Sequence, residues 1–258
     1  MKHESGQPAA LGPGSGDSAP GKALSARRAL AWAAGFSLLL AWLPAAVPVL
    51  AWLAWPQVLI SALAHELGHG VTALISGGRF DALGLYADGS GVALTRSSGG
   101  ALQRAVIAAG GPLGPPIAAL GLFVCARRAQ ASRVALGLIA MFLLAALVLW
   151  VRNPFGAFWV GSCALLAGAM AWRAPAAWAQ ALVCLVAVQL CLSTLSRLDT
   201  LFSRTAHTGA GELVSDTGQL SALLGGPHWF WGVLIALLSA GVMLAGLWAF
   251  FRALRAVR

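Results

Sequence analysis

Seven apolar runs divide the chain, at about 29–50, 56–77, 101–125, 134–150, 156–172, 176–195 and 228–251. Each is close to the ~20 residues that a helix needs to cross a bilayer, so the pattern predicts about seven transmembrane helices. Between the second and third runs the period changes. Around Leu83, Leu85, Val92 and Leu94 apolar and polar residues alternate, with Asp88-Gly89-Ser90-Gly91 between them; this is the pattern of a small β-hairpin over 79–97, expected at the membrane face. A second long connection, 196–227, carries Asp199, His207, Glu212 and Asp216. No segment repeats at a fixed period, which argues against a transporter built from duplicated halves.

Composition agrees with this pattern. Of 258 residues 59% are hydrophobic and 10% charged, against about a quarter charged in soluble domains, which excludes an ordinary soluble enzyme. The expected fold class is an all-α polytopic membrane protein. The expected organisation is a disordered polar and basic tail over 1–28, an integral membrane domain over 29–251 and a basic tail over 252–258. The formal charge of +9 comes from basic residues scattered singly or in pairs between apolar runs. There they anchor helix ends at headgroups, so the expected partner is the lipid bilayer and not nucleic acid. Placing the N-terminus inside puts ten of the 17 Lys and Arg on that side, which favours a multi-pass protein of a bacterial inner membrane with a cytoplasmic N-terminus. The four cysteines form no CxxC pair and read as small buried hydrophobes.

With only eight acids in the chain, any acid inside an apolar run needs a reason. The helix expected over 56–77 contains His65-Glu66-Leu67-Gly68-His69. Histidines at i and i+4 share one helix face and can reach one zinc ion, with Glu66 beside a metal-activated water as general base. Roughly one such sequence in a thousand would contain the pattern by chance. The competing reading is a polar helix–helix contact without metal.

Two histidines leave zinc one protein ligand short of a usual catalytic site. The remaining candidates are Asp81, Asp88, Asp199, His207, Glu212, Asp216 and His228. Crossing parity returns the 196–227 connection to the side of the bilayer that His65 and His69 approach. Asp216 then stands just before a short apolar helix, within a candidate third-ligand segment over 212–225. Spacing alone leaves two roles open for it, metal ligand or helix N-cap with Gln219 completing a capping box.

Taken in order, HELGHGVTALISGG, the DGSG turn, AGGPLG in the next helix, RNPFG at 152–156 and VSDTGQLSALLGGP at 214–227 resemble the M50B-like branch of the site-2 protease (M50) metallopeptidases. The resemblance covers roughly 56–245. It implies an intramembrane zinc metalloprotease acting on membrane-protein or peptide substrates, with His65, His69 and Asp216 as Zn2+ ligands and Glu66 as the catalytic base. Other site-2 proteases carry the ligand acid in an NPDG or LDG motif. Here Asn153-Pro154-Phe155-Gly156 lacks that acid, and Asn153 becomes a candidate for holding a substrate backbone or oxyanion, the other reading being a helix break at the interface. The hairpin becomes a candidate edge on which an extended substrate pairs. The alternative function is a non-catalytic membrane scaffold or receptor that keeps the fold. Nothing in the sequence specifies an oligomeric state.

Overall fold

In lipid no water satisfies the backbone, so long runs of Ala, Leu and Val close their hydrogen bonds within the segment as helices. The computed structural model describes residues 19–47 and 52–255. It is mostly helical, with α1 (Ala19–Ala46), α2 (Trp55–Ile75), α3 (Ala101–Ala126), α4 (Ala129–Leu149), α5 (Pro154–Arg173), α6 (Ala176–Ser196), α7 (Leu198–Leu201), α8 (Asp216–Leu224) and α9 (His228–Arg255). Among the described residues six helices, α2 to α6 and α9, are long and apolar enough to cross a membrane. With the 28-residue α1 they correspond to the seven apolar runs. Outward-facing Trp32 (79% exposed), Ile75 (83%) and Val148 (75%) belong to a broad apolar surface that suits lipid and not water. The chain is an integral membrane protein.

α1 begins at Ala19, so residues 19–28, expected in the polar tail, are helical; their Ala, Lys, Leu and Arg are good helix formers. At the other end, residues 252–255 of the expected basic tail continue α9 as helix, and the rest of the two expected tails, 1–18 and 256–258, lies outside the described residues.

α3 is the central helix, packed against α2, α6, α8 and α9. Its prolines, Pro112, Pro115 and Pro116, stand inside one continuous helix, and the glycines among them allow close approach. A Cβ on Gly68 of α2 would lie 3.1 Å from Gly114 Cα and closer still to the Gly110 carbonyl. Backbone therefore meets backbone, and the His-Glu face of α2 is drawn against α3.

The expected hairpin forms from β1 (Arg79–Leu85) and β2 (Gly91–Arg96), antiparallel with a bulge between Phe80 and Ala82. Its turn is held by Asp88, whose carboxylate accepts from the Ser90 amide (2.9 Å) and hydroxyl (2.7 Å). The hairpin runs back along α2: Phe80 packs on Gly70, Gly91 on Glu66 and Gly89 on Val58, and the Trp55 indole donates to the Ala87 carbonyl at 2.8 Å. β1 carries Phe80, Leu83 and Leu85 into a core shared with α2, α4 and α5, and that burial stabilises its place there. β1 gains a second neighbour, since Leu83 exchanges backbone hydrogen bonds with Trp150 and Arg152. Among the described residues β2 pairs only with β1 and is the free edge.

The connection 196–227 also holds structure that the sequence reading did not anticipate, a second hairpin of β3 (Thr205–Thr208) and β4 (Gly211–Val214). Its four-residue strands are mostly exposed. Its turn rests on the first hairpin, where the Gly209 amide donates to Ser90 Oγ at 2.8 Å.

Candidate metal centre

One turn of α2 separates His65 from His69, and their ring centroids lie 4.9 Å apart. His69 Nδ1 lies 2.8 Å from the Ile107 carbonyl of α3. A carbonyl cannot donate, so Nδ1 carries the proton and Nε2 is presented to the cleft.

The two open roles of Asp216 separate in the structure. The N-cap of α8 is Ser215, whose hydroxyl accepts from the Gly218 amide at 3.0 Å and donates to the Ser203 carbonyl at 2.6 Å. Capping is thus done by the neighbour, and Asp216, the first residue of α8, turns to α2. One carboxylate oxygen lies 3.1 Å from His65 Nε2 and the other 3.2 Å from His69 Nε2. Burial opposes its ionised form, but the two facing imidazoles outweigh burial and hold the Asp216 carboxyl below the usual carboxylate range.

These residues fit a metal ion. Donor atoms of a tetrahedral zinc site, each about 2.0–2.2 Å from the ion, stand about 3.3 Å from one another, close to the two separations here. With Nδ1 of His69 protonated, its Nε2 lone pair would face a carboxylate oxygen, and only a cation between them, proton or metal, makes that contact favourable. Two imidazoles and one carboxylate are zinc donors that leave a fourth position open. Gly111 of α3 keeps space over them, since a Cβ there would come within 2.8 Å of His65 Nε2 and closer still to His69 Nε2. Among the described residues this is the one group of three or more His, Cys, Asp or Glu side chains that could hold a metal ion.

Glu66 lines the same cleft and is 7% exposed. Its side chain packs on the backbone of β2, where a Cβ on Gly91 would meet Glu66 Cγ at 2.6 Å. Ser61, on the preceding turn, also lines the cleft, and its buried hydroxyl has no partner among the described residues, so a water or substrate polar group would satisfy it. The cleft encloses about 240 Å³. One wall is β2, from Gly91 to Ala93 and at Thr95, and the other is the β3–β4 hairpin with Asp216 at its foot. Arg197, just past α6, also lines it and reaches the Gly89 carbonyl at 3.5 Å. Burial pulls its guanidinium below its usual value, while Glu66, Asp199 and Asp216 act the other way.

The other sequence candidates are placed elsewhere. Asp81 pairs with Arg96, Asp88 holds its own turn, and Asp199 and Glu212 are exposed. His207 lines the cleft from β3, opposite Glu212 in the hairpin register, outside the three-residue group. His228 Nε2 lies 3.1 Å from the Phe202 carbonyl. Asn153 is not a lining residue of the cleft: its side-chain oxygen accepts from the Leu85 amide at 3.1 Å and its amide donates back to the Leu85 carbonyl. Sequence reasoning missed Arg197, counted there only as a topology charge, although its place at the end of an apolar run on the Asp216 side was a usable signal. Gly111 was legible as part of a close-packing glycine and proline segment, but not its place over His65 and His69, which lies in a contact between helices.

The model of the Peptidase M50B-like family matches residues 28–246. No curated protein and no solved structure gives a significant match to the chain.

Proposed function

The chain belongs to the Peptidase M50B-like family, and on that premise we propose that it is an intramembrane zinc metalloprotease that hydrolyses peptide bonds of membrane-associated substrates. The observation that carries this reading is the meeting of His65, His69 and Asp216 beside Glu66, in a cleft between the two hairpins that α2, α3 and α6, helices of spanning length, also line. His65, His69 and Asp216 are the proposed zinc ligands. A zinc ion held there would polarise the scissile carbonyl and acidify the attacking water.

The chain's own residues do the rest. Glu66, fixed between α2 and the backbone of β2, takes the proton of the attacking water and returns it to the departing amine. A helix cannot be cut while its amides bond to one another, so the substrate must be drawn out as a strand, and the free edge of β2 beside the cleft offers its backbone groups to it. Asn153 contributes from behind the sheet, keeping Leu85 in place and with it the register that sets Gly91 against Glu66. The non-catalytic alternative, a scaffold or receptor, has no use for an acid buried beside a metal-spaced pair of histidines, where leaving it unpaired costs about 2.5 kcal/mol or more. The basic-residue bias supports a multi-pass arrangement in a bacterial inner membrane with the N-terminus cytoplasmic.

The test is a comparison of membrane proteomes from cells carrying the wild-type chain or Glu66→Gln. Uncut forms of one or more membrane proteins are expected to accumulate with Glu66→Gln; identical proteomes under conditions where the chain is expressed contradict the reading.

A further inference from the structure

The cleft does not end at the metal cluster. A second cavity of about 370 Å³ adjoins it, and Thr95, Ile107, Val214 and Gln219 line both. The two form one groove that follows β2 from Gly91, against Glu66, to Ser97 beyond the end of the strand. That far end lies beside the C-terminus of α2, where a Cβ on Gly78 would meet the Arg96 carbonyl at 2.7 Å and Gln103 Nε2 donates to the Ser76 carbonyl at 2.6 Å.

Arg104, one turn before Ile107 on α3, lines this far end. Among the described residues its guanidinium has no ion-pair or hydrogen-bond partner, whereas the neighbouring Arg79 and Arg96 are both engaged by Asp81. The other polar groups around the cavity are the Thr95 hydroxyl, the Ser97 hydroxyl, which donates to Gln103 Oε1, and the Gln219 amide, which donates to the Val214 carbonyl at 3.3 Å, and no described carboxylate lines it. A groove that starts at the metal cluster therefore ends on an exposed cation that no described carboxylate compensates.

We propose that this second cavity is a substrate subsite for a carboxylate-bearing side chain, Asp or Glu, held by Arg104. The proposal rests on the protease reading and adds a substrate preference to it. At a rise of ~3.4 Å per residue, the four steps from Gly91 to Thr95 cover ~14 Å. A substrate strand on the β2 edge thus brings the acidic residue to the cavity about four positions from the cleaved bond. Arg104 stands where α2 ends, so that residue lies near the headgroups, where an acid in a substrate's juxtamembrane segment is easily accommodated.

The test uses the full chain in phosphatidylcholine nanodiscs and fluorescein-labelled decapeptides of Val, Ala, Leu and Ser, with a single Glu, Gln or Lys moved through every position. Cleavage is followed with the wild-type chain, and binding by fluorescence anisotropy with Glu66→Gln. A preference of about fivefold for Glu over Gln is expected at one position about four residues from the cut, the size of a partly exposed ion pair. Adding Arg104→Glu should invert it in favour of Lys while leaving the Gln peptide unchanged. Cleavage that needs Glu66 but shows no acid preference overturns the subsite and leaves the protease reading standing. Acid-selective binding that needs Arg104, without cleavage by the wild type, supports the subsite and overturns hydrolysis. Equal loss of affinity for the Glu and Gln peptides with Arg104→Glu marks a structural or lipid-anchoring arginine and overturns the subsite, as does the absence of any binding.

Discussion

Gly111→Ala separates metal binding from folding in a single methyl group. In a helix interior alanine is favoured over glycine by about 1 kcal/mol, so on propensity alone the change would stabilise α3. The new Cβ, however, would stand within 2.8 Å of His65 Nε2 and closer still to His69 Nε2, where ordinary contact begins at about 3.4 Å. His65 must give by at least about 0.6 Å and His69 by more, whereas a metal site has to be held within about 0.5 Å. His69 cannot swing away freely, because its Nδ1 is bonded to the Ile107 carbonyl, and breaking that bond costs about 1 kcal/mol. The helix gain and the hydrogen-bond loss nearly cancel. The expected outcome is an almost unchanged melting temperature with zinc affinity lowered about 10- to 100-fold, the range seen when the support of a ligand is disturbed. Competition against a chromogenic chelator reads the affinity, and a thermal melt reads the fold. Gly121→Ala, in the same helix with nothing within 4 Å of its Cβ position, serves as control and should keep zinc. Wild-type zinc affinity in Gly111→Ala would refute the placement of the ion between the imidazoles and α3.

Asp216→Ala should lower zinc occupancy sharply, whereas Ser215→Ala should lower stability by about 1 kcal/mol through the lost cap and retain most of the metal; equal metal loss in both would mean that α8 acts as a unit. Asn153→Ala removes both hydrogen bonds to Leu85 and should speed amide exchange over Gly84–Gly91 while zinc content stays unchanged. Arg96, by hydrogen bond first and charge second, holds the Asp81 carboxyl below its usual value. A depressed carboxylate contributes stability that is present above the unfolded pKa of about 3.9 and lost as pH falls through the lower folded value. Exchange protection of β1 and β2 should therefore be flat from neutral pH down to about 4 and fall below that, and Asp81→Asn should flatten this acid limb.

The membrane helices were legible because each apolar run is long enough to be nothing else in lipid, and the HExxH spacing was legible because helix periodicity makes i and i+4 neighbours. Crossing parity put Asp216 on the correct side. It could not show whether the acid capped its own helix, because that depends on Ser215, an equally good cap one residue earlier. The first hairpin was visible in its alternation, but not its return along α2, which depends on glycines at 70, 89 and 91 that allow side chains of the facing segment to approach. β3 and β4 were missed because four-residue, mostly exposed strands leave little alternation to read. Gly111 and Arg104 take their roles from neighbours distant in sequence, information that no local pattern holds.

The central claim is tested most directly by measuring zinc content and cleavage together on the purified full chain and on Glu66→Gln, prepared without chelators and given the same membrane substrate. About one zinc per chain in both proteins, with cleavage by the wild type alone, is predicted. A wild-type chain that carries no zinc, or a Glu66→Gln chain that still cuts, would contradict it.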